Sequence, residues 1–139
     1  MTDPLIDQAR SALSKAHAPY SEYRVGAALQ TVDGRVFVGC NIENANYSNS
    51  LHAEEVAVAE AVKTGHREFS RLAVASGARD GVTPCGMCRQ TLSEFADEDL
   101  EIVCDLGEEV STYTLDELLP NTISNETLAD ADRKRSGDQ

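Results

Sequence analysis

Two short segments, His52-Ala53-Glu54 and Pro84-Cys85-Gly86-Met87-Cys88, hold the residue types best suited to chemistry. One imidazole and two thiols are soft or borderline ligands of the kind that hold tetrahedral Zn²⁺, and three such ligands leave the fourth position to water. Each half alone is unspecific, because C-x-x-C also describes redox pairs and a lone helical His is usually packed or exposed. Cys85 and Cys88 stand at i and i+3, neighbours on one helix face about 5–6 Å apart at Cβ, so both sulfurs reach a single ion. His52 and Glu54 diverge in mid-helix, whereas in a first turn both approach a metal lying beyond the helix end. Two helix N-termini aimed at one point favour thiolates and other anions there. Glu54 separates a structural metal from a catalytic one. A structural site needs a fourth protein ligand, for which Cys40, Cys104 and His66 are spare; a catalytic site needs three ligands and an acid/base that stays off the metal. Glu54 suits the second task, carrying the proton of a water that zinc acidifies from a pKa of 15.7 toward ~7. Its bland alternative is an exposed first-turn acid that complements the helix dipole.

The elements that must position these groups follow from patterning. Asp3-Pro4 is an N-cap followed by a Pro at the first helical position, and Leu5, Ile6, Ala9, Leu13 and Ala16 recur at helical spacing to about Ala18. Residues 24–31 and 35–42 read as strands paired through the Asp33-Gly34 turn. The polar stretch 43–50 is longer than a bare connection needs and is a candidate binding loop. Ser50 suits the cap of a helix from Leu51 to Thr64-Gly65, and Leu72 to Ser76 reads as a buried strand. Pro84 suits the first turn of a helix that runs to Phe95. Strands near Leu100–Cys104 and Val110–Tyr113 follow, then a short helix around Leu115–Leu119 closed by Pro120. The order α-β-β-α-β-α-β-β-α implies one sheet covered by helices in a single domain, residues 1–124. Residues 125–139 are polar without apolar periodicity and read as a frayed tail.

Bulk composition narrows the function classes. The 139 residues carry 12 Lys+Arg against 24 Asp+Glu, a net charge of −12, and are 41% hydrophobic. That is enough apolar material for one packed domain and a poor surface for a phosphate backbone. Neither nucleic acid nor membrane is expected as a partner, since no apolar run approaches the ~18 residues of a span. A cytoplasmic location is expected, with no basic-then-apolar leader at the N-terminus. Four cysteines in that setting point to metal or catalysis rather than disulfides. Three lysines beside nine arginines, with so many acids, also suit a surface tuned for high salt, although a merely soluble acidic protein is an equal reading.

At the metal segments the sequence resembles the zinc-dependent cytidine deaminases, for which H-x-E followed by P-C-x-x-C is the established mark. The resemblance runs from about Ala18 to Pro120 and includes Pro19-Tyr20-Ser21, Val25-Gly26-Ala27-Ala28, Gly39-Cys40-Asn41-Ile42-Glu43-Asn44-Ala45, Cys88-Arg89-Gln90 and Leu118-Leu119-Pro120. It implies a three-layer αβα sandwich around one mixed five-stranded sheet, one Zn²⁺ per chain on His52, Cys85 and Cys88, and Glu54 as the catalytic residue. It further implies that Asn41 and Glu43 hydrogen-bond the ribose and that Tyr23, where the family usually has Phe, packs beside the nucleoside. The Ala53 N–H and the Thr83 carbonyl would read the pyrimidine edge. The implied reaction is hydrolytic: water attacks C4 of the cytosine ring, Glu54 passes its proton to N3, and ammonia leaves. A pyrimidine nucleoside and water are then the partners, acted on by a homo-oligomer. The short chain resembles the tetrameric branch, and the His ligand resembles the longer, dimeric one.

Three positions depart from that pattern. His52 stands where short-chain members often have a third Cys, and Glu55 where they have Arg. The two changes agree electrostatically, since two thiolates and an imidazole neutralise Zn²⁺ where three thiolates leave an excess negative charge. Ile123 stands where many relatives carry a base-contacting Phe. Cys40 and Cys104 read as small core residues, His17 and His66 as surface or helix-end groups, and Arg89 and Gln90 either orient a loop or ligand or face solvent. Three rivals remain open: a deaminase of a cytosine-containing antibiotic nucleoside, a base-modifying enzyme acting on nucleic acid, and a non-enzymatic zinc-stabilised interaction module with a fourth protein ligand.

Overall fold

A computed structural model of the chain describes residues 3–137. Five strands, β1 (Val25–Thr31), β2 (Val36–Cys40), β3 (Phe69–Ser76), β4 (Glu101–Asp105) and β5 (Val110–Thr114), form one sheet in the order β2-β1-β3-β4-β5. The β3–β4 pair is parallel and the other three pairs are antiparallel, so the sheet is mixed. Its parallel step needs a crossover, which α3 (Gly86–Ser93) supplies. The remaining helices are α1 (Pro4–Ser11), α2 (Ala53–Lys63), α4 (Leu115–Leu118) and α5 (Asn125–Gly137).

Strand alternation sorts the core into two layers. Ala27, Leu29, Leu72, Val74, Ile102 and Cys104 face α2 and α3, packing with Ala53, Ala57, Ala61 and Leu92. Ala28, Ala73, Ala75 and Val103 face the other way, against Leu5, Ile6 and Ala9 of α1. The sandwich expected from the resemblance is thus present, with α1 covering one face. Asp3 caps α1 by accepting from the Leu5 N–H at 2.9 Å, and its carboxylate also meets Arg71 of β3, which binds Glu101 of β4 at 2.8 Å. Arg10, near the other end of α1, grips Asp105 with two guanidinium nitrogens at 2.7 and 2.6 Å.

The helices lie close enough to the sheet that glycine is required beneath them. A Cβ on Gly39 of β2 would stand 2.3 Å from the Ala53 carbonyl oxygen and 2.6 Å from the Ala57 nitrogen. The first turn of α2, which carries Glu54, therefore rests directly on β2 backbone.

Several boundaries differ from the sequence expectation. α1 ends at Ser11 and continues to Lys15 as a 3-10 turn, rather than as α-helix to Ala18. β3 begins at Phe69, which pairs with Thr31 across the sheet, and not at Leu72. The tail expected to be frayed is helical: α5 forms over Asn125–Gly137, exposed along residues 125–135, and Leu128 N–H bonds to Ser124 O at 3.0 Å. A helix without a buried face leaves no apolar periodicity to detect, only i,i+3 ion pairs such as Asp130–Arg133 and Asp132–Arg135.

Candidate metal centre and active site

The two metal segments fold as helix starts. His52 is the N-cap of α2, with extended backbone (φ −84°, ψ 152°), so Glu54 and Glu55 are its second and third helical residues. This start lies two residues later than expected from Ser50. Leu51 is held extended by an antiparallel bridge to Ile42, its N–H and C=O bonding the Ile42 C=O and N–H at 2.8 and 2.9 Å. Ser50 meanwhile accepts from the Asn44 N–H at 3.1 Å. The His52 N–H donates to Glu55 Oε1 at 2.9 Å, half of a capping box. Glu55, seen in the sequence only as a departure from a family pattern, thus closes the helix end that carries the ligand. The His52-x-x-Glu55 spacing was the available signal.

Cys85 is likewise the N-cap of α3 (φ −70°, ψ 169°), and Cys88 is its third helical residue. Pro84 therefore precedes the cap instead of opening the helix. The N-cap to N3 relation still places both sulfurs on one side, each close to the His52 ring: Nδ1 lies 3.2 Å from Cys85 Sγ and 3.4 Å from Cys88 Sγ. Ligand atoms of a tetrahedral zinc with bonds of about 2.1 and 2.3 Å stand about 3.6 Å apart, so the donor set has the size as well as the softness zinc requires. The three ligand atoms lie within 4.8 Å of one another, and among the described residues no other His, Cys, Asp or Glu joins this group. The spare ligands stand elsewhere. Cys104 is buried in the core, its thiol pushed up to about 11 by burial. Cys40 ends β2, and the His66 ring packs at 5.3 Å from Phe37 with Asp33 3.5 Å away. The structure thus supplies three protein ligands and no fourth from those candidates.

Glu54 is only 5% exposed. Burial raises its carboxyl pKa, opposed by its own backbone N–H and the His52 ring and reinforced by Glu55. Burial also pushes the Cys88 thiol far up, with the Glu54 carboxylate and Cys85 adding to the effect. An exposed dipole-complementing acid would be neither buried nor raised.

The remaining expected site residues sit at the start of α2, just before α3, and in the segments flanking β1 and β2. Ala53, fully buried, is the first residue of α2, where backbone N–H groups lack intrahelical acceptors. Thr83 is half-buried two residues before Cys85. Asn41 spends part of its amide on backbone, accepting from Val25 N–H at 2.9 Å and donating to Tyr23 O at 2.7 Å. Glu43 accepts from the Tyr20 and Ser21 N–H groups at 3.0 and 3.1 Å and from the Ser21 hydroxyl. Those bonds, the hydroxyl first, hold its carboxyl below the usual range. Glu43 lines a cavity of 270 Å³ with Tyr20, Ser21, Tyr47 and Ser50, which includes the polar loop expected to bind. Tyr23 packs half-buried against the main core. Arg89 and Gln90, ambiguous in sequence, both bond other parts of the chain: Gln90 Nε2 donates to Ile123 O at 3.0 Å, and Arg89 bonds Pro84, Thr83 and Leu118.

Residues 2–104 match the profile described as the cytidine and deoxycytidylate deaminase zinc-binding region. The chain belongs to the cytidine deaminase family. It is 39% identical over 128 residues to the cytidine deaminase of Sporosarcina psychrophila, covering 91% of this chain and 94% of that protein. It is 38% identical over 127 residues to that of Halalkalibacterium halodurans, covering 91% and 96%. The crystal structure of cytidine deaminase from Burkholderia pseudomallei superposes with a TM-score of 0.82 at 41% identity, covering 88% of this chain and all of that one. The sheet order, the helix-start geometry and the His/Cys/Cys donor set therefore belong to a cytidine deaminase-type zinc centre, one Zn²⁺ per chain.

Proposed function

We propose that the chain hydrolyses cytidine, deoxycytidine or both to the corresponding uracil nucleoside and ammonia. The observation that carries this reading is the buried Glu54 carboxylate beside a three-residue His/Cys/Cys centre at two converging helix N-termini. His52, Cys85 and Cys88 would hold zinc, which supplies Lewis acidity that lowers the pKa of water toward ~7.

Glu54 does the proton work. Burial raises its pKa, the direction that suits a group that must take a proton and give it back. In the first half, water oxygen bonds to C4 of the ring while Glu54 takes a proton and delivers it to N3. In the second half, Glu54 takes the remaining hydroxyl proton and gives it to the amino nitrogen. The C4–N bond then breaks, C4 becomes a carbonyl and ammonia departs. The Ala53 N–H and Thr83 carbonyl orient the pyrimidine edge, Tyr23 packs beside the nucleoside, and Asn41 and Glu43 take the ribose hydroxyls. Asn41 Nδ2 keeps a second N–H and Glu43 keeps unused acceptor sites beyond the bonds they make internally. Those internal bonds also hold both groups in place before a ligand arrives.

Charge supports a small substrate, since a net −12 repels nucleic acid at moderate salt. No described helix is long and apolar enough to cross a membrane. The reading places the enzyme in the cytoplasm as a homo-oligomer, a tetramer before a dimer, serving pyrimidine salvage. An ultraviolet assay on cytidine, deoxycytidine, adenosine and free cytosine, with and without chelator, tests it. Chelator-sensitive turnover of the cytosine nucleosides alone is expected; turnover of adenosine, or none of any substrate by zinc-loaded protein, would overturn it.

A further inference from the structure

Arg89 follows the second cysteine ligand, yet its side chain reaches back past the start of its own helix. Nε donates to Pro84 O at 2.7 Å and Nη2 to Thr83 Oγ1 at 3.2 Å, while Nη1 donates to Leu118 O at 2.8 Å. Pro84 and Thr83 immediately precede the ligand Cys85. Leu118 is the last residue of α4, where helix carbonyls lack intrahelical donors. The connection between β3 and α3 is held near its middle by the Gly77 and Gly81 N–H groups, which donate to Arg24 O at 3.1 Å and Asp105 O at 2.7 Å, and Arg89 supplies the bonds at its far end, Thr83 and Pro84. One half-buried guanidinium therefore ties the end of that connection both to α3 and to α4.

We propose that Arg89 is a positioning residue, a clamp that fixes the Thr83-Pro84-Cys85 segment and with it one zinc ligand and the edge that reads the pyrimidine. The proposal rests on the deaminase reading above and deepens it. The three acceptors lie on two elements, and a planar fork of five donors reaches them together. Lysine preserves the charge and loses that geometry, so charge and shape are separable.

The test compares Arg89→Lys with wild type in three readouts: kcat and KM for cytidine, the rate of zinc release to a coloured chelator, and Tm. Arg71→Met serves as the control, since it removes an arginine bonded to Asp3 and Glu101 that joins α1 to the sheet away from the metal centre. Arg89→Lys is expected to raise KM about tenfold with kcat within about threefold, and to release zinc about tenfold faster, the scale of losing hydrogen bonds from a charged donor. Arg71→Met is expected to lower Tm and leave KM and zinc release unchanged. Wild-type KM and zinc release in folded Arg89→Lys would overturn the clamp, as would the same pair of changes in Arg71→Met. Should Arg89→Lys fail to fold, Thr83→Val removes one acceptor at constant shape and is expected to raise KM about threefold; unchanged KM and zinc release there would overturn the clamp equally. If wild-type enzyme forms no ammonia, the deaminase reading falls, and the zinc-release comparison still decides whether Arg89 fixes Cys85.

Discussion

Gly39→Ala probes how rigidly the sheet sets the metal centre. The added Cβ would meet the Ala53 carbonyl oxygen at 2.3 Å, the Ala57 nitrogen at 2.6 Å and Val56 Cβ at 3.1 Å, against ordinary contact beginning at 3.4 Å. Two of these neighbours are backbone, so no rotamer relieves the overlap, and α2 must lift from β2 by about 1 Å at its first turn. Overpacking of this kind costs about 1–3 kcal/mol, or about 5–10 °C in Tm for a domain of this size. The same displacement carries His52 and Glu54 away from Cys85 and Cys88, which ride on α3. A misplacement of about 1 Å costs on the order of 100-fold in rate. The assay is kcat/KM for cytidine beside Tm and zinc content. Gly34→Ala is the comparison, because Gly34 sits in the hairpin turn at φ +91° with nothing within 4 Å of a Cβ. It should cost about 1–2 kcal/mol of stability from left-handed strain and leave kcat/KM intact. A folded Gly39→Ala enzyme with kcat/KM near wild type, or an equal activity loss in Gly34→Ala, would refute the reasoning.

Other outcomes follow from the ion pairs, the thiols and the C-terminal helix. Arg10 holds the Asp105 carboxyl below its ordinary pKa, so this pair stabilises the fold above the unfolded carboxylate range and loses that contribution as pH falls through the lowered folded value. The Tm deficit of Asp105→Asn should accordingly be present at pH 7 and shrink toward pH 3, as thermal melts in a buffer series would show. Burial keeps the Cys88 thiol protonated without metal, so zinc loading at pH 7 should release protons, detectable with an indicator in weak buffer, and release fewer in Cys88→Ser. Truncation after Ser124 removes an exposed helix and should shift Tm by no more than about 2 °C, as read by calorimetry.

What the sequence disclosed and what it concealed divide by range of interaction. The i,i+3 pair Cys85/Cys88 and the first-turn relation of His52 to Glu54 are local and legible before any fold is known, whereas their meeting across 33 residues rests on the shared donor chemistry and the family resemblance. The strand alternation and the Asp33-Gly34 turn were equally local, and the five strands lie close to where patterning put them. The start of α2 was misplaced because a bridge to Ile42, nine residues upstream, holds Leu51 out of the helix, overriding the capping preference of Ser50. Arg89 was ambiguous because one of its acceptors, Leu118 O, lies 29 residues downstream. Asn41 and Glu43 were recognisable as polar groups at a strand end, whereas their bonds to Val25, Tyr23 and the Tyr20-Ser21 turn depend on how β2 lies beside the chain preceding β1. Residues 125–135 of α5 are exposed and so left no periodic trace.

The division of labour between three metal-holding side chains and one proton-carrying acid is tested most directly by Glu54→Gln, measured for zinc per chain and for ammonia release from cytidine. Retention of one zinc per chain with turnover down by about a hundredfold or more is the expected pair of results. A Glu54→Gln enzyme that deaminates at near wild-type rate would contradict the account, as would one whose lost activity is explained by lost zinc.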